Sequence, residues 1–355
     1  MVDTLERPRA QAALNVGERE AYYTICPTFV ASNVAQELGW IEDEFREIGA
    51  KLSYLRSLPV EQGYLPHFSH ALDHLFRDGG NIPSIWAKAD VTDTTLIGLT
   101  AGHHGGHIVV RADSGLRSVA DLKGWRFGLS RSTNAAKIDW WRATSEQGIL
   151  LALRLAGLER DDVDILDIAN DDRGFGGASR PSELWKRRRE DLFFTPEVRA
   201  LQAGEVDAVF ASNGRALALV KTGDFTVVED FSRYPDWTLQ VSNSPYALTV
   251  NTDFARKHRD IVVAFLRATV RAARWLDDNR EAGATILHRV TYHPSVADTA
   301  TAIAATDFLP TLTPQKLAGI DRQKKFLLGN GYIKRDFDSR DWADSSYLDE
   351  ALATA

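Results

Sequence analysis

Cysteine occurs once in these 355 residues, at Cys26. It follows the apolar run Ala21-Tyr22-Tyr23-Thr24-Ile25 and precedes Pro27. The run reads as a short first strand, which puts the thiol at a strand end where the chain turns. In doubly wound α/β folds the carboxyl ends of strands are where ligands bind. A lone thiol there can serve as nucleophile, acid or base, and no second cysteine exists for an internal disulfide. The competing account of a free cysteine is a small buried hydrophobe. Histidines form the other grouping: His67, His70 and His74, then His103, His104 and His107. The i, i+4 spacing of His70 and His74 would put both on one helix face, where they could bind zinc. No carboxylate or second cysteine completes a ligand motif, so neither a metal nor another cofactor is expected.

The elements that must position these groups alternate in type. Strand-like runs are Lys51 to Leu55, Thr94 to Leu99, His107 to Val110, Trp125 to Ser130, Asp164 to Ile168, Ala208 to Ala211 and Tyr246 to Val250. Helical patterns include the capped Ser118 to Gly124, a helix ending at Ala203-Gly204, and a long amphipathic helix from Ile261 to Asn279. Such alternation favours α/β with a largely parallel sheet. The stretch from Asn170 to Pro181, with four glycines, reads as a loop or mobile flap. A chain this long suggests two lobes.

Composition excludes some partners. At 44% apolar and 26% charged residues the chain has ordinary globular composition, and a formal charge of −7 provides no basic face for nucleic acid. The one basic run, Lys186-Arg187-Arg188-Arg189, is followed by Glu190 and Asp191 and reads as a solvated helix face. The first twenty residues hold no apolar stretch of signal-peptide length, and no apolar run approaches a membrane span. Cys26 lacks a lipobox. The expectation is a cytoplasmic protein with no membrane partner, acting as a monomer.

Three segments resemble the periplasmic-binding-protein type II fold, in its sulfonate, nitrate and thiamine-precursor branch. They are Ser118-Val119-Ala120-Asp121-Leu122-Lys123-Gly124-Trp125-Arg126-Phe127-Gly128, Leu201-Gln202-Ala203-Gly204-Glu205-Val206-Asp207-Ala208-Val209 and Thr249-Val250-Asn251-Thr252-Asp253-Phe254. The resemblance implies two α/β lobes with the ligand cleft between them. Residues 1–20 would be a tail, 21–110 with 235–355 one lobe, and 111–234 the other. Cys26-Pro27, His67-Phe68 and Arg77-Asp78-Gly79-Gly80 sharpen it. Together they are similar to the 2'-hydroxybiphenyl-2-sulfinate desulfinase family of dibenzothiophene desulfurisation, with a longer interval between cysteine and histidine. The small-molecule partner so implied is an aromatic sulfinate, whose C–S bond is cleaved to release sulfite.

The resemblance assigns catalysis to Cys26, His67 and Arg77. Cys26 would either protonate the ring carbon bearing sulfur or attack sulfur as a thiolate. His67 would hydrogen-bond the sulfinate or Cys26. Arg77 would hold the sulfinate oxygens in its guanidinium fork, a geometry suited to a two-oxygen anion. Gly79 and Gly80 would let the backbone approach and offer N–H donors. Phe68 would pack on the substrate ring, the polar turn of Ser130, Ser132 and Thr133 would face the ligand from the opposite lobe, and Trp140 and Trp141 are candidate walls. Two other functions fit the same fold: a solute-binding protein for a small anion, which would not need Cys26, and an aromatic-acid decarboxylase.

Overall fold

The computed structural model describes residues 17–100, 105–239, 241 and 243–355, so most of the expected tail, and His103 and His104, lie outside the described residues. The first strand is β1 (Glu20–Ile25), whose interior residues are almost all buried because it has a neighbour on each side. The strands then run β2 (Lys51–Tyr54), β3 (Leu75–Gly79), β4 (Thr94–Thr100), β5 (His107–Arg111), β6 (Arg126–Ser132), β7 (Asp164–Asn170), β8 (Ala208–Ala211), β9 (Phe225–Asp230) and β10 (Tyr246–Asn251).

They form two five-stranded sheets, ordered β2-β1-β3-β10-β4 and β7-β6-β8-β5-β9. In the first, β1 pairs in parallel with β2 and β3, while β10 is antiparallel to both β3 and β4. In the second, β6 pairs in parallel with β7 and β8, and β5 is antiparallel to β8 and β9. β5, which straddles the expected boundary after residue 110, is hydrogen-bonded into the second sheet. The chain returns to the first sheet through β10. This mixed α/β architecture with two sheets agrees with the fold class expected from the sequence.

Each sheet has its own apolar core. The first is built largely on the helix Arg259–Asp278, whose Phe265 stacks on Phe76 of β3 with ring centroids 4.4 Å apart. The second gathers Phe127, Ile149 and Phe210 around β6, β8 and the helix Trp140–Leu155. Separate cores leave a cleft between the sheets, and the parallel β1 and β3 both end at its edge. Among the described residues no helix is long and apolar enough to cross a membrane.

Candidate active site

Register explains why the three expected groups meet. In the parallel pair β1 and β3, Thr24 lies opposite Arg77 and Ile25 opposite Asp78, so Thr24 and Arg77 share a face. Cys26 continues β1 by one residue, its N–H donating to the Asp78 carbonyl at 2.9 Å. His67 comes from the short helix Pro66–Ser69 and is bound from both strands. Its Nδ1 lies 2.7 Å from Thr24 Oγ1, and its backbone carbonyl accepts Arg77 Nε at 2.8 Å. Its Nε2 is thereby directed at Cys26 Sγ, 3.5 Å away. Arg77 Nη2 donates to the same sulfur at 3.5 Å.

Arg77 has no solvent exposure. Its Nη1 donates to the Gly80 carbonyl at 2.9 Å and to Ser84 Oγ at 2.8 Å, so three of its contacts are to neutral acceptors. Among the described residues it makes no ion pair within 4 Å, although the neighbouring Asp78 carboxyl acts on it electrostatically, and a buried cation with so little direct pairing favours an anion beside it. Because Nε and Nη1 are tied down, Nη2 is the edge that faces the cavity, rather than the open two-pronged fork expected from sequence. Burial, with the Arg56 and Arg77 cations adding to it, holds His67 well below its ordinary value and keeps the imidazole neutral. Burial likewise pushes the Asp78 carboxyl up to about 6, although Ser32 Oγ donates to it at 2.6 Å.

The two glycines also make room for other groups. Gly79 has φ 149°, and a Cβ there would fall 2.3 Å from Cys26 Sγ. Its N–H is turned toward the Asp78 carboxylate. A Cβ on Gly80 would strike the Asn243 amide at 2.1 Å, and that amide caps the turn by accepting Ile82 N–H at 2.6 Å. Both positions are clearances, one for the thiol and one for Asn243.

Cys26, His67, Phe68, Arg77 and Gly80 all line one cavity of about 560 Å³ between the sheets. Phe68 stands edge-on to His67 and to Tyr64, with centroids 4.8 and 5.3 Å away. Trp140 and Trp141 contribute to the opposite wall. Ser130 is buried behind that wall and does not line the cavity; Ser132, two residues nearer the strand end on the same face, does. His70 and His74 do not share a helix face. Both have positive φ, 56° and 59°, in the turn before β3. His70 Nε2 meets Thr249 Oγ1 at 2.8 Å, and His74 stacks on Phe254. Among the described residues no group of three or more His, Cys, Asp or Glu could hold a metal ion.

Sequence reasoning missed several lining residues. Arg56 is buried beside the ring of Phe68, donates to the Gly63, Tyr64 and Phe175 carbonyls, and makes no ion pair among the described residues. Lys137 sits 4.9 Å over the Phe68 ring and pairs with Asp172 at 2.7 Å. Asp172 also accepts the Tyr64 hydroxyl, which ties the loop after β7 to the first sheet. The flap expected near 170–181 is therefore stitched across the cleft. From the basic run, Arg188 reaches the cavity and lies 4.7 Å over the Phe175 ring, because the helix Pro181–Phe193 packs beside that loop.

A half-buried thiol flanked by a neutral imidazole and an unpaired guanidinium, with aromatic walls, suits an aromatic anion. Sequence comparison points the same way. No family model matches the chain. The curated 2'-hydroxybiphenyl-2-sulfinate desulfinases of Rhodococcus erythropolis and Rhodococcus qingshengii are each 28% identical over 364 residues, covering 93% of both chains. The chain is similar to the sulfinate desulfinases along nearly its whole length. Among solved structures, the DszB cysteine-to-serine mutant in complex with biphenyl-2-sulfinic acid superposes with a TM-score of 0.72 at 22% identity, over 95% of this chain and 100% of that one. The periplasmic aliphatic sulphonate binding protein SsuA from Escherichia coli gives 0.61 at 17% identity, over 91% of each chain. These structural likenesses fix the fold as that of the periplasmic binding proteins.

Proposed function

We propose that this protein is a desulfinase that cleaves the C–S bond of an aromatic sulfinate of the hydroxybiphenyl type and releases sulfite. The observation that carries the reading is the position of Cys26 Sγ, 3.5 Å from both His67 Nε2 and Arg77 Nη2. In this reading Arg77 Nη2 draws one sulfinate oxygen toward the thiol, and Arg56 and Arg77, neither in an ion pair among the described residues, put positive charge beside it. The aryl group lies against Phe68 and the tryptophans.

Of the two routes open to the thiol, a neutral His67 favours proton donation. The Cys26 S–H protonates the ring carbon that bears sulfur, the C–S electron pair returns to the ring, and sulfur dioxide departs. Water converts it to hydrogen sulfite plus a proton, which restores the thiol. The sum is aryl sulfinate plus water giving arene plus hydrogen sulfite, a hydrolase reaction at a C–S bond. Arg77 offsets the transient thiolate charge, and His67 orders the S–H. The lobe division belongs to the same reading: each sheet is the core of one lobe, and the loop 171–180 covers the cleft.

A binding-protein reading would use the same cavity but gives no role to the contacts at Cys26. The test is product analysis with purified protein and 2'-hydroxybiphenyl-2-sulfinate. Equimolar sulfite and 2-hydroxybiphenyl are expected; ligand binding with neither product would favour a receptor.

A further inference from the structure

The helix Pro181–Phe193 brings Trp185, Arg188, Asp191 and Leu192 into the wall of the cavity. In sequence it lies between β7 and β8 of the second sheet, yet it is fastened to the first. Leu184 and Trp185 join the first apolar core. Further along, Arg189 reaches the C-terminal end of the helix Arg280–Val290. Arg189 Nη2 donates to the His288 carbonyl at 2.5 Å and to the Thr291 carbonyl at 3.3 Å. Arg189 Nη1 lies 2.9 Å from His288 Nε2.

A guanidinium has hydrogens to give and no lone pair to offer. His288 Nε2 must therefore be the acceptor, and the contact exists only while the imidazole is neutral. Protonation sets two cations against each other at hydrogen-bond distance. The carbonyl end of a helix favours either cation, so a charged His288 keeps its place and Arg189 is the one displaced. The surroundings fit this competition. Burial and Arg189 hold His288 below its ordinary value, while Asp298 of the helix Val296–Ile303 favours the charged ring. Asp298 is itself engaged by Lys221 and Ser295. The other helices packed on Arg280–Val290 have their nearby charges occupied: Glu37 accepts Ser182 N–H at 3.3 Å, Arg267 pairs with Glu44, and Arg271 lies over Trp40. On its own helix Glu281 and Arg289 are exposed, and Arg280 pairs with Asp277.

We propose that the Arg189–His288 contact is a pH-sensitive lock on the cavity wall: neutral His288 ties the second half of the helix Pro181–Phe193 to the first lobe, and acid releases it. Released, that half is still held from the other side, where Arg215 Nε of the helix Asn213–Thr222 donates to the Leu192 carbonyl at 2.8 Å. The wall formed by Arg188, Asp191 and Leu192 then follows the second lobe, and the cavity opens. The inference concerns access to the cavity and does not depend on which anion the site takes.

Because the locked form excludes the charged ring, opening grows with the protonated fraction of a free imidazole, about tenfold between pH 7.5 and pH 5.5 for an ordinary value near 6.5. The experiment follows backbone hydrogen exchange of residues 186–193 in the full chain at both pH values, with rates corrected for the intrinsic pH dependence of exchange. It uses wild type, Arg189→Met and His288→Gln, whose amide oxygen still accepts from Arg189 but does not titrate. The corrected rate should rise about tenfold at pH 5.5 in wild type and stay within about twofold in His288→Gln. Arg189→Met should exchange fast at both. No rise in wild type, an equal rise in His288→Gln, or wild-type protection in Arg189→Met would overturn the lock. Should Arg189→Met not fold, the comparison of wild type with His288→Gln decides.

Discussion

Replacing Gly79 by alanine is the most informative single change, because its effect follows from geometry. The added Cβ would lie 2.3 Å from Cys26 Sγ and 2.4 Å from Cys26 Cβ, at a backbone φ of 149°. Carbon and sulfur contacts need about 3.5–4.0 Å, so the deficit exceeds about 1 Å. Relief requires either parting β1 from β3 or turning the thiol away from His67 and Arg77. Overpacking of this kind costs about 1–3 kcal/mol, and a thiol misplaced by about 1 Å loses on the order of 100-fold in turnover. Gly79→Ala should therefore release sulfite roughly 100-fold more slowly and melt a few degrees lower by calorimetry. In a Cys26→Gly background, where the clashing atoms are gone, the part of the thermal penalty due to the clash should vanish and only the strain of a side chain at φ 149° should remain. Sulfite release within threefold of wild type, or an equal melting penalty in both backgrounds, would refute the clearance role.

Three further expectations follow from the same contacts. Arg77→Lys cannot reproduce the bonds to His67, Gly80 and Ser84 together with the contact to Cys26, so KM should rise at least tenfold, each lost bond being worth about 1 kcal/mol; an unchanged KM would contradict its anchoring role. His67→Ala should lower kcat by about 100-fold or more while changing KM less, and equal losses in both would count against a role in the transition state. His70, which burial pushes down to about 3, stays neutral in the fold while the unfolded chain protonates near 6.5, so its contribution is whole above that pH and is lost on acidification. Between pH 7 and 5 the loss is about 2 kcal/mol, and His70→Gln should show a correspondingly flatter fall of melting temperature over that range; an identical slope would refute the assignment.

Much of the frame was legible because its strands are apolar runs. Tyr22 to Ile25 in β1 and Ala208 to Ala211 in β8 are flanked on both sides by other strands, so burial wrote itself into composition. β3 was not legible. Leu75-Phe76-Arg77-Asp78-Gly79 carries two ionisable groups and a glycine, so it lacks the apolar run of a buried strand, and only tertiary hydrogen bonds make their burial tolerable. β9 (Phe225–Asp230), an edge strand with intermediate burial at several positions, was equally silent. The motif residues Cys26, His67 and Arg77 were found through resemblance, and the structure brings them together. The roles of Gly79 and Gly80 as clearances were not readable, because the atoms they make room for, at Cys26 and Asn243, belong to other elements. Arg56, Lys137 and Arg215 carry no local signal at all. Each is one arginine or lysine among 42 such residues, and only burial without solvent sets it apart.

The central claim is that Cys26 performs the C–S cleavage on an anion it shares with His67 and Arg77. Its most direct test pairs calorimetric binding of 2'-hydroxybiphenyl-2-sulfinate with sulfite release, in wild type and in Cys26→Ser. The account predicts that the variant binds the sulfinate within about tenfold of wild type yet releases no sulfite, while wild type turns it over. Sulfite release by Cys26→Ser at a rate comparable to wild type would contradict it.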